Sequence, residues 1–201
     1  MPSLRKTLTQ LLTGLEFSGD DRSKEENARL LASLVHTSQQ IIRPYIEPIL
    51  QSLLPKLDHS TASVSTAVLA AVGEVATVAG EGITPHLPML FKIIIGVLQE
   101  SASSVTREVA LRTLGQLVGA SGYVIQPYLD YPQLLDLLVR TIAQESSSSG
   151  KRELVRTLGV LGALDPYKRK LLVQQQLVRN APRDDELPPA SSLLLGMVAA
   201  D

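Results

Sequence analysis

Three observations predict an all-α fold of stacked antiparallel helix pairs, a HEAT/armadillo-like α-solenoid. Apolar residues recur at helical spacing from one end of the 201-residue chain to the other, and the sustained alternation of strands is missing. A short proline phrase returns four times, and a small residue inside a helical stretch returns with the same period of about 40 residues. Each element can be justified in turn.

Leu4, Leu8, Leu11, Leu12 and Leu15 lie at i, i+4, i+7, i+8 and i+11, one stripe of a 3.6-residue helix. Further stripes are Ile46, Ile49, Leu50, Leu53, Leu54 and Leu57, then Val64, Val68, Val72 and Val75. Leu87, Leu90, Phe91, Ile94 and Leu98 form the next, followed by Val105, Val109, Leu114 and Leu117, and by Leu134, Leu135, Leu138 and Ile142. The proline phrases are Ile42-Arg43-Pro44-Tyr45, Ile83-Thr84-Pro85-His86, Ile125-Gln126-Pro127-Tyr128 and Leu164-Asp165-Pro166-Tyr167, with prolines 41, 42 and 39 positions apart. A proline at the first helical position needs no N–H partner and presets φ, so each is expected to open the first helix of a repeat. Gly73, Gly115 and Gly159 each follow an apolar residue and lie 42 and 44 apart, with Ser33 lying 40 before Gly73. A glycine inside a helix costs about 1 kcal/mol, and close approach of the neighbouring layer is the expected compensation.

The expected organisation is a repeat segment over 1–170, with repeats at about 3–38, 42–79, 83–119 and 124–163 and a partial one from 165. Polar linkers at Ser18–Arg22, Asp58–Ala62, Ser101–Ser104 and Ser146–Gly150 separate the two helices of each repeat. Residues 171–201 read as a helix end, then a Pro/acidic loop and a brief apolar tail. Neither end reads as a polar cap, so a piece of a larger solenoid is expected.

Composition narrows the chemistry. The net charge of −1 implies no bare nucleic acid as partner. Zero Cys excludes a disulfide framework, a cysteine-held zinc and a thiol nucleophile. No uninterrupted apolar run approaches the roughly 20 residues of a membrane helix, so no membrane span is expected. His36, His59 and His86 are 23 and 27 apart, which suggests no metal site, and His86 fills the slot held by Tyr45, Tyr128 and Tyr167 as a packing residue at a helix start. Gly80-Glu81-Gly82 lacks the third glycine of a nucleotide loop, since Pro85 stands there. Gly119-Ala120-Ser121-Gly122 has the wrong spacing for a nucleophile elbow and reads as a helix C-terminal turn. Asp20, Asp21, Glu25 and Glu26 suit a helix start through its dipole. Lys151, Arg152 and Arg156 with Lys168, Arg169 and Lys170 read as a solvated basic face, and Ser146–Ser149 as a flexible polar loop. No catalytic residue, cofactor site or metal site is assigned. The expected partner surface is the second-helix face carrying Arg107, Arg112, Lys151 and Arg156.

Five phrases carry a resemblance: Pro2-Ser-Leu-Arg-Lys-Thr-Leu8, Ile42-Arg-Pro-Tyr-Ile-Glu-Pro-Ile-Leu50, Arg107-Glu-Val-Ala-Leu-Arg-Thr-Leu-Gly-Gln-Leu-Val118, Gly122-Tyr-Val-Ile-Gln-Pro-Tyr128 and Leu158-Gly-Val-Leu-Gly-Ala-Leu-Asp-Pro-Tyr-Lys168. Over residues 2–170 the chain resembles the target-of-rapamycin kinases, in their HEAT-repeat region upstream of the kinase domain. The resemblance implies a very large Ser/Thr protein kinase that senses nutrients and growth signals, with this stretch as non-catalytic scaffold. It implies protein partners: other parts of the kinase, the regulatory subunit that recruits substrates, and a second protomer. Rapamycin with its immunophilin would bind elsewhere, beside the kinase domain, and no ATP, magnesium or catalytic residue of the family falls in this chain. It also implies a cytoplasmic place, with lysosomal, vacuolar or other endomembrane association through the complex. A free-standing HEAT adaptor is the other reading of the same repeats.

Overall fold

The computed structural model describes residues 2–124, 126–162 and 174. The chain divides into two compact units, Met1–Ala163 and Leu164–Asp201, and all described residues but Gln174 belong to the first. Among its described residues every regular element is helical: α1 (Pro2–Phe17), α2 (Asp21–Ser38), α3 (Ile46–His59), α4 (Ala62–Ala79), α5 (Leu87–Glu100), α6 (Ser104–Ser121), α7 (Gln126–Asp130), α8 (Leu134–Gln144) and α9 (Ser148–Leu161). Two 3-10 segments, Gln39–Tyr45 and Gly80–His86, lead into α3 and α5. The fold is an all-α helical repeat.

Local chemistry sets the helix ends. Asp20 caps α2, its carboxylate accepting from the backbone N–H groups of Arg22 and Ser23. Ser103 caps α6 through Thr106 N–H, and Ser147 caps α9 through Gly150 N–H. Helix α6 stops at Gly122, which takes the left-handed conformation (φ 70°, ψ 10°) and donates its N–H to Val118 C=O. The prolines act differently from the expectation. Pro44 and Pro85 lie inside the 3-10 segments, two residues before the α-helices begin at Ile46 and Leu87. A fixed φ near −65° suits a 3-10 turn as well as an α-helix. In α5 the proline of the opening turn is Pro88, and Pro127 lies within the short α7. Pro166 lies outside the described residues.

Helices pack in two rows. The pairs α1–α2, α3–α4, α5–α6 and α8–α9 make successive layers. The second helices α2, α4, α6 and α9 form a continuous row, each packed along the next. In the first-helix row α1 meets α3 and α5 meets α8, whereas α3 and α5 make at most a marginal contact. The core runs between the rows and contains the fully buried Leu15, Leu31, Ile49, Leu53, Val68, Val72, Phe91, Ile94, Leu111 and Leu114.

Helix α4 stands in the middle of the second row and is apolar nearly all round, as a helix with neighbours on several sides must be. An 18-residue window within Ala62–Glu100 reaches a mean hydropathy of 1.6, enough by length and composition alone to cross a membrane, although no uninterrupted apolar run there approaches 20 residues. Burial inside the fold, 61% for that window, accounts for the composition.

Candidate interaction surface

The second-helix row is fastened from layer to layer. Thr113 Oγ1 donates to Leu69 C=O at 3.1 Å, and Thr157 Oγ1 donates to Leu111 C=O at 2.9 Å; both hydroxyls are buried. Each acceptor lies four residues before a glycine, Gly73 and Gly115 respectively, so the threonine of one helix reaches the backbone of the previous one beside a missing side chain. A Cβ at Gly73 would overlap the Gln116 amide and lie 3.1 Å from Thr113 Oγ1, so close approach accounts for that glycine. At Gly115 a Cβ would meet Thr157 Oγ1 at 3.4 Å, an ordinary contact, so a methyl fits and only larger side chains are excluded. Around Gly159 nothing among the described residues comes within 4 Å of such a carbon. The expected close approach is therefore found at Gly73, relaxed at Gly115, and without a described neighbour at Gly159.

Polar side chains extend the fastening. Glu74 on α4 receives Gln116 Nε2 from α6 at 2.9 Å and stands 2.9 Å from His36 Nδ1 on α2. His86 stands at the start of α5 with Nε2 3.6 Å from Glu47 Oε2 of the preceding layer, a packing residue with a rim contact.

Of the expected partner residues, Arg107 is corrected. Its side chain is only 19% exposed and its Nη2 lies 2.8 Å from Glu145 Oε2, whose side chain is fully buried. Nη1 also donates to the carbonyls of Ser101 and Ala102. Arg107 thus ties α6 to the loop after α5 and to the α8–α9 linker, and it offers little to a partner. Glu145 also accepts the Ser147 N–H at 3.0 Å. That backbone hydrogen bond, with Arg107, holds its carboxyl below the ordinary carboxylate range against the opposing effect of burial. Nothing local announces this pair, whose members are 38 residues apart.

The serine stretch forms the hydrogen-bonded start of α9. Ser147 caps α9, and Ser149 Oγ donates to Glu108 Oε2 at 2.5 Å. Buried Glu145 gathers Arg107 and the Ser147 N–H, since a carboxylate taken from water must gather donors.

The other three cations remain on the surface. Arg112 is 46% exposed and pairs with Glu108 at 2.9 Å and Glu153 at 4.0 Å. Arg156 is 70% exposed and lies 3.7 Å from Glu153. Lys151 is exposed, with no ion pair among the described residues. The structure brings Arg112 and Arg156 together around Glu153, so two carboxylates temper this face. Among the described residues no group of three or more His, Asp or Glu could hold a metal ion.

The first-helix row differs in texture. Between α5 and the next layer, Phe91 stacks on Tyr131 (centroids 5.4 Å apart, planes 6° apart) and meets Tyr123 edge-on at 6.2 Å. Tyr131 OH donates to Pro88 C=O at 3.2 Å, and Tyr123 OH donates to Asp130. Burial, then that hydrogen bond, pushes the Tyr123 hydroxyl up to about 12. Between α3 and α5 no aromatic pair stands among the described residues. A cavity of about 470 Å³ opens between these two layers, walled by Leu57 of α3 and Ser65, Thr66 and Leu69 of α4 on one side, by Ile93, Gly96 and Val97 of α5 on the other, and by the loop after α5 with Thr106 of α6.

The profile of the serine/threonine-protein kinase mTOR domain matches residues 124–199. The serine/threonine-protein kinase TOR2 of Saccharomyces cerevisiae is 45% identical over 170 residues, 85% of this chain. The kinase tor1 of Schizosaccharomyces pombe is 48% identical over 168 residues, and the kinase TOR of Arabidopsis thaliana 40% identical over 175, covering 83% and 85% of this chain. The chain spans about 7% of the length of each of these relatives. With similarity of this extent to kinases of fungi and a plant, the chain belongs to the target-of-rapamycin family of serine/threonine protein kinases.

Proposed function

We propose that this chain is a non-catalytic helical-repeat scaffold segment of a target-of-rapamycin kinase. Its repeats are of the HEAT type, and its work is to support complex assembly, dimerisation and docking of the regulatory partner in nutrient and growth signalling. The observation that supports this reading is the second-helix row, in which buried hydroxyl–carbonyl bonds fasten α6 to α4 and α9 to α6. A row fastened in this way transmits position from one end to the other and leaves its outer side chains free for partners. Arg112, Lys151 and Arg156 are exposed cations of that row. The kinase would act in the cytoplasm and reach lysosomal, vacuolar or other endomembrane surfaces through its complex.

The first test is the mass of the endogenous polypeptide, by immunoblot against this segment. A band many times larger than the 21.7 kDa of this chain is expected. A band at the mass of the chain alone would overturn the scaffold-segment reading in favour of a free-standing adaptor. The second test deletes the segment from the full-length kinase. Recovery of the regulatory subunit and of a second, differently tagged protomer should fall, and unchanged recovery of both would overturn the assembly role.

A further inference from the structure

We infer that the outer side of α5, facing the cleft toward α3, is a docking site for one amphipathic helix of a partner protein, with an acidic and a basic residue about two turns apart. The inference rests on the scaffold reading and names one of its surfaces. Met89, Lys92, Ile93, Gly96, Val97 and Glu100 line the hollows beside α5, at helical spacing along about three turns. Ile93 lines both the α3-side cavity and a second hollow next to Tyr131, so the two hollows flank the same exposed face of α5.

Gly96 gives the stripe its meaning. A glycine in the middle of α5 costs helix stability. At Gly73 the next layer accounts for that cost, but nothing among the described residues comes within 4 Å of a Cβ built on Gly96. The notch faces the cavity, where it lets another backbone come close. The ends of the stripe carry opposite charges, Lys92 and Glu100, both exposed and without an ion pair among the described residues. Eight residues of helix separate them by about 12 Å. An α-helix fits this surface better than an extended strand. The helix backbones flanking the cleft satisfy their own hydrogen bonds and offer no edge, whereas apolar side chains at i, i+4 and i+7 fill a groove of this kind.

The probe is a labelled, helix-stabilised 18-residue peptide with Leu at i, i+4 and i+7 and a Glu and a Lys flanking them. Its binding to the full chain is read by fluorescence anisotropy. Saturable binding below about 1 mM is expected. Ile93→Asp should weaken it at least tenfold. Glu100→Lys should weaken it about threefold, and changing the peptide's Lys to Glu should restore it. Circular dichroism melting confirms that each variant folds, and Glu100→Lys, at an exposed site, keeps the test open if Ile93→Asp does not fold. No saturable binding overturns the inference, as does equal binding of a scrambled peptide or indifference of the folded variants. The same substitutions in the full-length kinase separate this inference from the reading beneath it. If deletion of the whole segment releases the regulatory subunit and the second protomer but the α5 variants release neither, the α5 site is wrong and the scaffold stands. If deletion itself releases nothing, the scaffold reading falls.

Discussion

The two helix rows are built from similar apolar stripes and end up as different surfaces. In the second row, α2, α4, α6 and α9 lie close, and their contacts combine side-chain packing with hydroxyls and amides reaching a neighbouring backbone or carboxylate. In the first row the spacing is uneven: aromatic rings fill the gap beyond α5, while the gap before it stays open. Small residues explain part of the contrast. Gly73 lets Thr113 and Gln116 in, whereas Gly96 admits nothing from the described residues. The same residue type closes one interface and opens another, and what decides is how closely the helix of the next layer stands, near at α4–α6 and far at α3–α5.

The largest expected effect breaks the fastening at its electrostatic centre. Arg107→Ala removes the main cation beside a fully buried carboxylate, and an uncompensated buried charge costs about 3–5 kcal/mol. The lower end is expected here, because Ser147 N–H still bonds Glu145 and Arg107 is partly exposed. Chemical denaturation of the full chain measures it. A loss under about 1 kcal/mol would mean that Arg107 behaves as an ordinary surface ion.

The pH dependence of the same pair sharpens the point. Glu145 has its folded pKa below the ordinary value of 4.5, so the folded state binds its proton less readily than the unfolded state. Its stabilisation is complete above that value and fades as pH falls through the lower, folded pKa. Glu145→Gln should therefore be less stable than wild type at pH 7, with the gap narrowing as the solution is taken below about pH 4. A gap that widens with acid would contradict this sign.

Thr113→Val tests the row at one interface. The valine keeps the shape and removes the hydroxyl donated to Leu69 C=O. That carbonyl lies inside α4, where the helix supplies its own bond, so the loss is one net hydrogen bond, about 1 kcal/mol. Thr157→Val should cost a similar amount at the next interface. The two should add, since they fasten different layers. Strong non-additivity would mean that the two interfaces are coupled through α6, which carries Thr113 of one bond and the Leu111 carbonyl of the other.

Much of this was legible in the sequence. Helical spacing and the recurrent phrases point to paired helices because a helix face and a repeat both leave periodic marks. Gly73 was legible as a close approach. Its threonine counterpart was not read, although Arg-Thr-Leu-Gly stands twice, at 112–115 and 156–159, and that identity was a signal. The Arg107–Glu145 pair left no mark, because its partners meet only through the fold. Nor could the sequence say which helices would stand apart: α3 and α5 carry apolar stripes as full as those of α4 and α6, and the cleft arises from spacing across layers.

The smallest expected effects come from the glycines, and they turn the comparison of rows into a difference of sign. Replacing a helical glycine by alanine gains about 0.5–1 kcal/mol where the methyl is free. Gly96 faces open space among the described residues, so Gly96→Ala should raise the melting temperature by a few degrees. Gly115→Ala should gain less, because its methyl must settle against Thr157 at 3.4 Å. Gly73→Ala should lose stability, since the methyl displaces Gln116 from Glu74 and crowds Thr113 at 3.1 Å. Thermal unfolding of the three variants side by side reads the order Gly96, Gly115, Gly73 from stabilised to destabilised. If Gly73→Ala matched Gly96→Ala, the second row would have slack enough to absorb a methyl, and its closeness would not explain the recurrence of glycine.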